Sequence, residues 1–278
     1  MSTVKPMVVV LTGASSGIGA ALTQALAADG HTVFVCARRA DMLAKVTENG
    51  RLATPFTCDV SSETDVADFA RQVKDRVGRV DALINNAGAY GAIGAIETVD
   101  AAHWWRSLQV NLFGTFLMCQ AFIPMLRAAG GGRIVNFSGG GAFDPLPNYS
   151  AYAVSKAGVV RLTETLAAVL APAKIQVNAV APGFVATEIH KATLDAGPER
   201  SGEALYRLTL EKMERGAVPI ERPVQLVRFL LSPQAEGVTG RTISASFDQW
   251  QSPEFTASIA NEKNLYTMRR INPENLKK

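Results

Sequence analysis

Short apolar, β-rich runs alternate along this chain with longer segments whose apolar residues recur at helical spacing. Segments 7–12 (MVVVLT), 32–36 (TVFVC), 54–57, 82–85 (ALIN), 133–137 (RIVNF), 175–180 (IQVNAV) and 241–245 read as strands. Segments 17–29, 40–49, 62–77, 101–128, 152–170 and 222–231 read as helices. The strand runs are apolar on both faces, as strands buried beneath two helix layers must be. Their alternation with helices predicts βαβ units. The expected fold is therefore α/β, a doubly wound, parallel, seven-stranded sheet with helices on both faces.

No linker, repeat or low-complexity tract interrupts the rhythm, so residues 1–248 are expected to form one domain. Two regions depart from it. Segment 188–220 follows the sixth strand and carries a helix-like stretch at 202–214. An insertion at the carboxyl end of a strand sits where such sheets bind ligands, which makes it a candidate substrate lid; the alternative is a surface excursion. Residues 249–278 read as a polar C-terminal extension, packed on the surface or reaching a neighbouring subunit.

Composition narrows the function classes. The 278 residues carry 28 basic and 25 acidic side chains, a net charge of +3. That excess lies in residues 261–278, where Lys263, Arg269, Arg270, Lys277 and Lys278 face only Glu262 and Glu274. The body is neutral, whereas a nucleic-acid binder carries its basic face on the folded domain. Cys36, Cys58 and Cys119 are odd in number and lack metal-ligand spacing, so free thiols and no metal site are expected. No secretory signal is visible. The apolar stretches look shorter than the ~20 residues that span a bilayer. A soluble, cytoplasmic protein without membrane or nucleic-acid partners is the expectation.

The first strand runs into Thr12-Gly13-Ala14-Ser15-Ser16-Gly17-Ile18-Gly19 and then a helix. Glycines at these positions allow a tight turn, close backbone approach to a pyrophosphate and close packing of helix on strand. The anion then lies on the free N–H groups and positive end of the helix. In this strand–turn–helix context, Gly13, Ser15, Ser16, Gly17, Ile18 and Gly19 are candidate dinucleotide-binding residues of a Rossmann domain. Gly13, Ser15 and Gly17 also fit the nucleophile elbow of serine hydrolases. That reading needs a late histidine, and none follows His190. After the second strand stand Arg38 and Arg39, with no acid before Asp41. An arginine there accommodates a 2′-phosphate, where a carboxylate would bind a ribose 2′-hydroxyl, so the expected cofactor is NADP(H). The alternative is a solvated helix start.

Tyr152 and Lys156 stand four residues apart at a helix start and so share one face. A free phenol has a pKa of about 10. A fixed ammonium and a positively charged nicotinamide would favour the phenolate, letting Tyr152 exchange a proton with a carbinol oxygen.

With these residues the chain resembles the compact branch of the short-chain dehydrogenases/reductases across residues 6–248. The matching landmarks are the glycine turn, Cys58-Asp59-Val60, Asn85-Asn86-Ala87-Gly88, Val110-Asn111-Leu112, Tyr152-x-x-x-Lys156 and Ala181-Pro182-Gly183. The resemblance implies that Asp59 and Val60 flank the adenine, and that Asn86, Ala87 and Gly88 support the central strand and cofactor. It implies that Asn111 holds a proton-relay water, and that Pro182, Gly183, Val185 and Thr187 meet the nicotinamide amide. It further implies subunit contacts through the helices at 101–128 and 152–170, hence a homodimer or homotetramer. One position departs from the pattern. The family's substrate-orienting serine lies 13 positions before the tyrosine, where this chain has Gly139. Ser138 is the candidate replacement, reached through the flexible run Gly139-Gly140-Gly141; the alternative is an incomplete site. The expected function is NADPH-dependent interconversion of a small carbonyl compound and its alcohol, with Tyr152, Lys156, Asn111 and Ser138 catalytic. The alternatives are a non-catalytic NADP-sensing protein, and an epimerase or dehydratase on the same scaffold.

Overall fold

The computed structural model describes residues 5–272. Its strands are β1 (Val8–Thr12), β2 (Thr32–Ala37), β3 (Thr54–Thr57), β4 (Ala82–Asn85), β5 (Gly132–Phe137), β6 (Ile175–Ala181) and β7 (Thr242–Ser244). They form one sheet in the order β3-β2-β1-β4-β5-β6-β7, with every neighbouring pair parallel. The order reverses between β1 and β4, and such a switch point opens a crevice at the carboxyl ends of the strands.

The helices are α1 (Gly17–Ala28), α2 (Ala40–Val46), α3 (Glu63–Val77), α4 (Ala101–Leu108), α5 (Gly114–Ala128), α6 (Ser150–Leu170), α7 (Lys191–Ser201), α8 (Glu203–Glu214), α9 (Glu221–Leu231) and α10 (Pro253–Asn261). The two-faced apolar pattern has a direct cause. Val9, Leu11, Val33 and Val35 point to a layer holding Leu22 and Leu26 of α1 and Val227 and Leu230 of α9. Val10, Phe34 and Leu83 point to the opposite layer, with Phe69 and Val73 of α3 and Met118 and Phe122 of α5. Successive strand side chains alternate between faces, and each face is covered.

Four expectations change in detail. The single helix at 101–128 is α4, a π-helical turn at Gln109–Phe113, and α5. As a unit, Ala101–Ala128 is long and apolar enough to cross a membrane, with mean hydropathy 1.3, contrary to the expected shortness of the apolar runs. Half of it is buried inside the protein, where α5 supplies one side of the core. The lid segment carries two helices rather than one. Gly197, at φ +71°, kinks α7 before Pro198, and that breaker pair hid the helix in the sequence. The tail forms α10 and buries Trp250, Phe255 and Ile259 in the β1/α1/α9 core. Beyond it Tyr266 O accepts from Thr242 N of the edge strand (2.8 Å). Lys277 and Lys278 lie outside the described residues.

Candidate active site

A cleft of about 1200 Å³ runs along the carboxyl ends of the strands. At its centre β1 ends at Thr12, and the turn into α1 places Gly13, Ser15, Ser16, Gly17 and Ile18 in the wall. Gly13 has φ +69°, and a Cβ there would stand 2.7 Å from the Ala87 Cα; a Cβ on Gly17 (φ +53°) would stand 3.0 Å from the Thr187 methyl carbon. Both glycines serve conformation and close approach at once. Gly19 faces inward, where a Cβ would lie 2.2 Å from Gly13 O, so its part is close helix packing. The turn is pinned to β4. Thr12 Oγ1 accepts from the N–H of Asn86 and of Ala87, and Asn86 Nδ2 donates to Thr12 O and Gly13 O, all at 3.1 Å.

At the end beyond β2, Arg38 lines the cleft and makes no hydrogen bond or ion pair among the described residues. Arg39 is engaged: Nη2 donates to Ser15 Oγ (3.2 Å) and Ser16 Oγ (2.7 Å), and Nη1 to Glu188 Oε2 (2.8 Å). Asp59 accepts from Ser61 N (3.0 Å) and Ser61 Oγ (2.6 Å) and pairs with Arg106 of α4. Burial pushes its carboxyl up, but the Ser61 bonds and the Arg106 guanidinium outweigh that and hold it below the usual range. Val60 lies beside Asp59 in the wall and packs on Gly114, where a Cβ would stand 2.9 Å from its Cγ2.

Tyr152 and Lys156 are buried on one face of the first turns of α6. Lys156 Nζ donates to Phe137 O at 2.8 Å and lies 5.6 Å from the centroid of the Tyr152 ring. Asn111 sits in the π turn, a local widening frequent at functional sites. Its Oδ1 accepts from Ala89 N (2.8 Å), and its Nδ2 donates to Ala89 O (2.8 Å) and Ser155 Oγ (2.9 Å). Ser155 Oγ in turn donates to Tyr152 O at 2.7 Å. A Cβ on Gly88 would come within 3.3 Å of Asn111 Oδ1 and 3.4 Å of Lys156 Nζ, so glycine keeps that junction open. Pro182, Gly183, Val185 and Thr187 form the wall where β6 runs out.

Burial alone raises the Tyr152 phenol above its ordinary value and lowers Lys156 to about 8. The chain's own groups therefore favour the protonated phenol. In this pocket desolvation outweighs an ammonium that is directed at a carbonyl.

Gly139 and Ser138 complete the floor. A Cβ on Gly139 would lie 2.2 Å from Tyr152 Oη, so the tyrosine hydroxyl stands where a side chain at 139 would begin. Ser138 lines the same cleft, its N–H tied to Val180 O at 2.9 Å, and its buried hydroxyl has no partner among the described residues.

An aromatic layer lies over this floor. Tyr90 packs edge-on against Tyr152 (centroids 4.7 Å apart) and Tyr149 (5.2 Å), and its hydroxyl meets His190 Nδ1 at 3.0 Å. His190 stacks on Phe184 at 3.7 Å, and burial lowers its pKa to about 4, keeping the ring neutral. Tyr149 donates to Thr193 Oγ1 at 2.8 Å. These residues lie on three segments far apart in sequence, and no short motif joins them.

A switch-point crevice with a glycine turn at its centre and a buried tyrosine–lysine pair at its floor defines a dinucleotide-fold oxidoreductase. Comparison with known proteins gives the family. The short chain dehydrogenase profile matches residues 7–197, and the chain belongs to the short-chain dehydrogenase/reductase family. With the 3-oxoacyl-[acyl-carrier-protein] reductase of Thermotoga maritima it shares 34% identity over 242 residues, 85% of this chain and 94% of that protein. Among solved structures, a variant of the actinorhodin polyketide ketoreductase with NADPH superposes at TM-score 0.76 and 32% identity, covering 86% of this chain and 95% of that one. An NAD+-bound xylitol dehydrogenase superposes at TM-score 0.78 and 29% identity, covering 86% and 96%.

Proposed function

We propose that the chain is an NADP(H)-dependent reductase of a neutral carbonyl compound, working by proton transfer from Tyr152. The observation that carries this reading is the buried cluster of Tyr152, Lys156 and Asn111 at the floor of a cleft whose other end presents an unpartnered Arg38. The residues present fit a dinucleotide. The glycine turn leaves no room for side chains against Ala87 and Thr187, the start of α1 directs its positive end into the cleft, and Gly88 is open beside Lys156. Gly13, Ser15, Ser16, Gly17 and Ile18 would hold the pyrophosphate, with Asp59, Val60 and Ala87 beside the adenosine. Asn86 and Gly19 would support the turn from behind. Pro182, Gly183, Val185 and Thr187 would meet the nicotinamide.

A nicotinamide coenzyme seated there supplies or takes the two electrons that the carbonyl carbon gains or gives up. The chain supplies the rest. Tyr152, kept protonated by burial, donates its phenolic proton to the carbonyl oxygen as that oxygen gains charge. Lys156, anchored on Phe137 O, supports the charge left on the phenol oxygen. Asn111 fixes the backbone at Ala89 and, through Ser155, the first turn of α6; by the family resemblance it would hold a relay water. Ser138 Oγ, buried without a partner, is the candidate donor to the substrate oxygen. Tyr90, Leu146, Phe184, Ile189 and Leu205 make the substrate wall, which suits a neutral, partly apolar substrate.

Arg38 is taken to grip the 2′-phosphate. The solved relatives hold NADPH in one case and NAD+ in another, so the arginine carries this choice. Titration with NADPH and NADH tests it: NADPH is expected to bind at least about tenfold more tightly, an advantage reduced in Arg38→Ala, since a guanidinium–phosphate pair is the stronger, charge-assisted kind of hydrogen bond. Equal affinity for both coenzymes would overturn the assignment.

A further inference from the structure

Glu188 has no part in the reading above, yet it makes the only ion pair at the mouth of the glycine turn among the described residues. It follows Thr187, whose methyl carbon would touch a Cβ on Gly17 at 3.0 Å, so the root of the lid segment lies directly on the turn. Its carboxylate accepts from Arg39 Nη1 at 2.8 Å while Nη2 of the same guanidinium reaches Ser15 and Ser16. Arg39 and Ser16 together hold the Glu188 carboxyl below its ordinary range. The second acid in this part of the cleft, Asp59, is already paired with Arg106.

We infer that Glu188 is a specificity-determining residue for the coenzyme: it competes with the 2′-phosphate for Arg39. This rests on the NADP(H) reading. Arg38 and Arg39 leave β2 side by side, Arg38 without a partner and Arg39 held by an acid from a segment 149 residues away. A 2′-phosphate carries about two negative charges and three acceptor oxygens, as other phosphomonoesters do, and so outbids a single carboxylate for a guanidinium. When the phosphate takes Arg39, the Arg39–Glu188 pair is lost, and that loss opposes NADP(H). NADH brings no charge to that position and leaves the Arg39–Glu188 pair intact. Glu188 therefore narrows the advantage that the two arginines give NADP(H). Both partners are nearly half exposed, so the effect is modest and weakens with salt.

The test is fluorescence titration of NADPH and NADH binding to wild type, Glu188→Gln, Arg39→Ala and the double variant, at low and at high salt. Glu188→Gln is expected to tighten NADPH by about three- to tenfold and to leave NADH within about twofold, the size of a partly exposed charge contact. In the Arg39→Ala background the same replacement is expected to change nothing, because the contested group is gone. Equal tightening of both coenzymes would mean that Glu188 acts on the shared pyrophosphate, and would overturn the inference. So would no change, or a gain that persists without Arg39. Wild-type preference for NADH is a separate outcome that overturns the NADP(H) reading itself, whereas preference for NADPH with an inert Glu188 overturns only this inference.

Discussion

At position 139 a side chain would have to share space with the tyrosine hydroxyl, since a Cβ there falls 2.2 Å from Tyr152 Oη. Glycine is thus part of how Tyr152 is seated, and restoring the family's serine should harm the site. Gly139→Ser is expected to lower kcat/KM by roughly tenfold to a hundredfold, the scale of an ångström-sized misplacement; a gain in activity would refute this seating. The orphaned hydroxyl at 138 makes the complementary case. Ser138→Ala should lower kcat/KM at least about tenfold if it stabilises the transition state, and unchanged kinetics would remove it from the mechanism. The titrations follow from burial. Tyr152 is raised and stays protonated through neutral pH, while Lys156, lowered to about 8, loses its charge as pH rises through that value. Carbonyl reduction is therefore expected to decline above about pH 8 in a kcat/KM profile, and a profile rising across that range would contradict it.

Among the elements, the central strands and the flanking helices were legible because their periodicity is enforced by burial on defined faces. Val9 and Val10 are both apolar since each meets its own helix layer. The candidate site was legible where it is local: the glycine turn, Arg38 and the Tyr152–Lys156 pair all lie at strand ends or within one helical turn. What the chain hides is set by tertiary contacts. The π turn at Asn111 has no propensity signal, the Gly197–Pro198 kink masks α7, and the Tyr90–His190 bond joins residues 100 positions apart. The tail's surface reading failed because three apolar residues among polar ones decide its place. Phe255 of α10 packs against Phe229 and Tyr266, with ring centroids at 6.1 and 5.1 Å. Phe255→Ala should cost about 3–5 kcal/mol of unfolding free energy, as buried phenylalanine truncations do. Denaturant unfolding measures this, and a loss below about 1 kcal/mol would mean that the tail is not part of the core.

For the molecule as a whole, charge was informative through its position. The basic tail is spent partly on the domain itself, with Arg269 pairing to Glu164 of α6. Trp105 of α4, Val154 of α6 and Phe116 of α5, with Phe113 stacked on Phe116, are exposed at 57%, 50%, 41% and 36%. These helices are the ones whose family resemblance implies subunit contacts, and a second copy of the chain is the proposed partner of their exposed apolar side chains. Light scattering should find a dimer or tetramer that Phe116→Glu converts toward monomer; a monomeric wild type would contradict the pairing. The account as a whole rests on the proton carried by Tyr152. The most direct test is NADPH oxidation against a panel of neutral carbonyl compounds by wild type and Tyr152→Phe, with NADPH binding measured on both. The expected result is turnover by wild type and a loss of at least about a hundredfold in Tyr152→Phe, the scale of a general acid's contribution, with NADPH still bound. Turnover undiminished in Tyr152→Phe would contradict the mechanism.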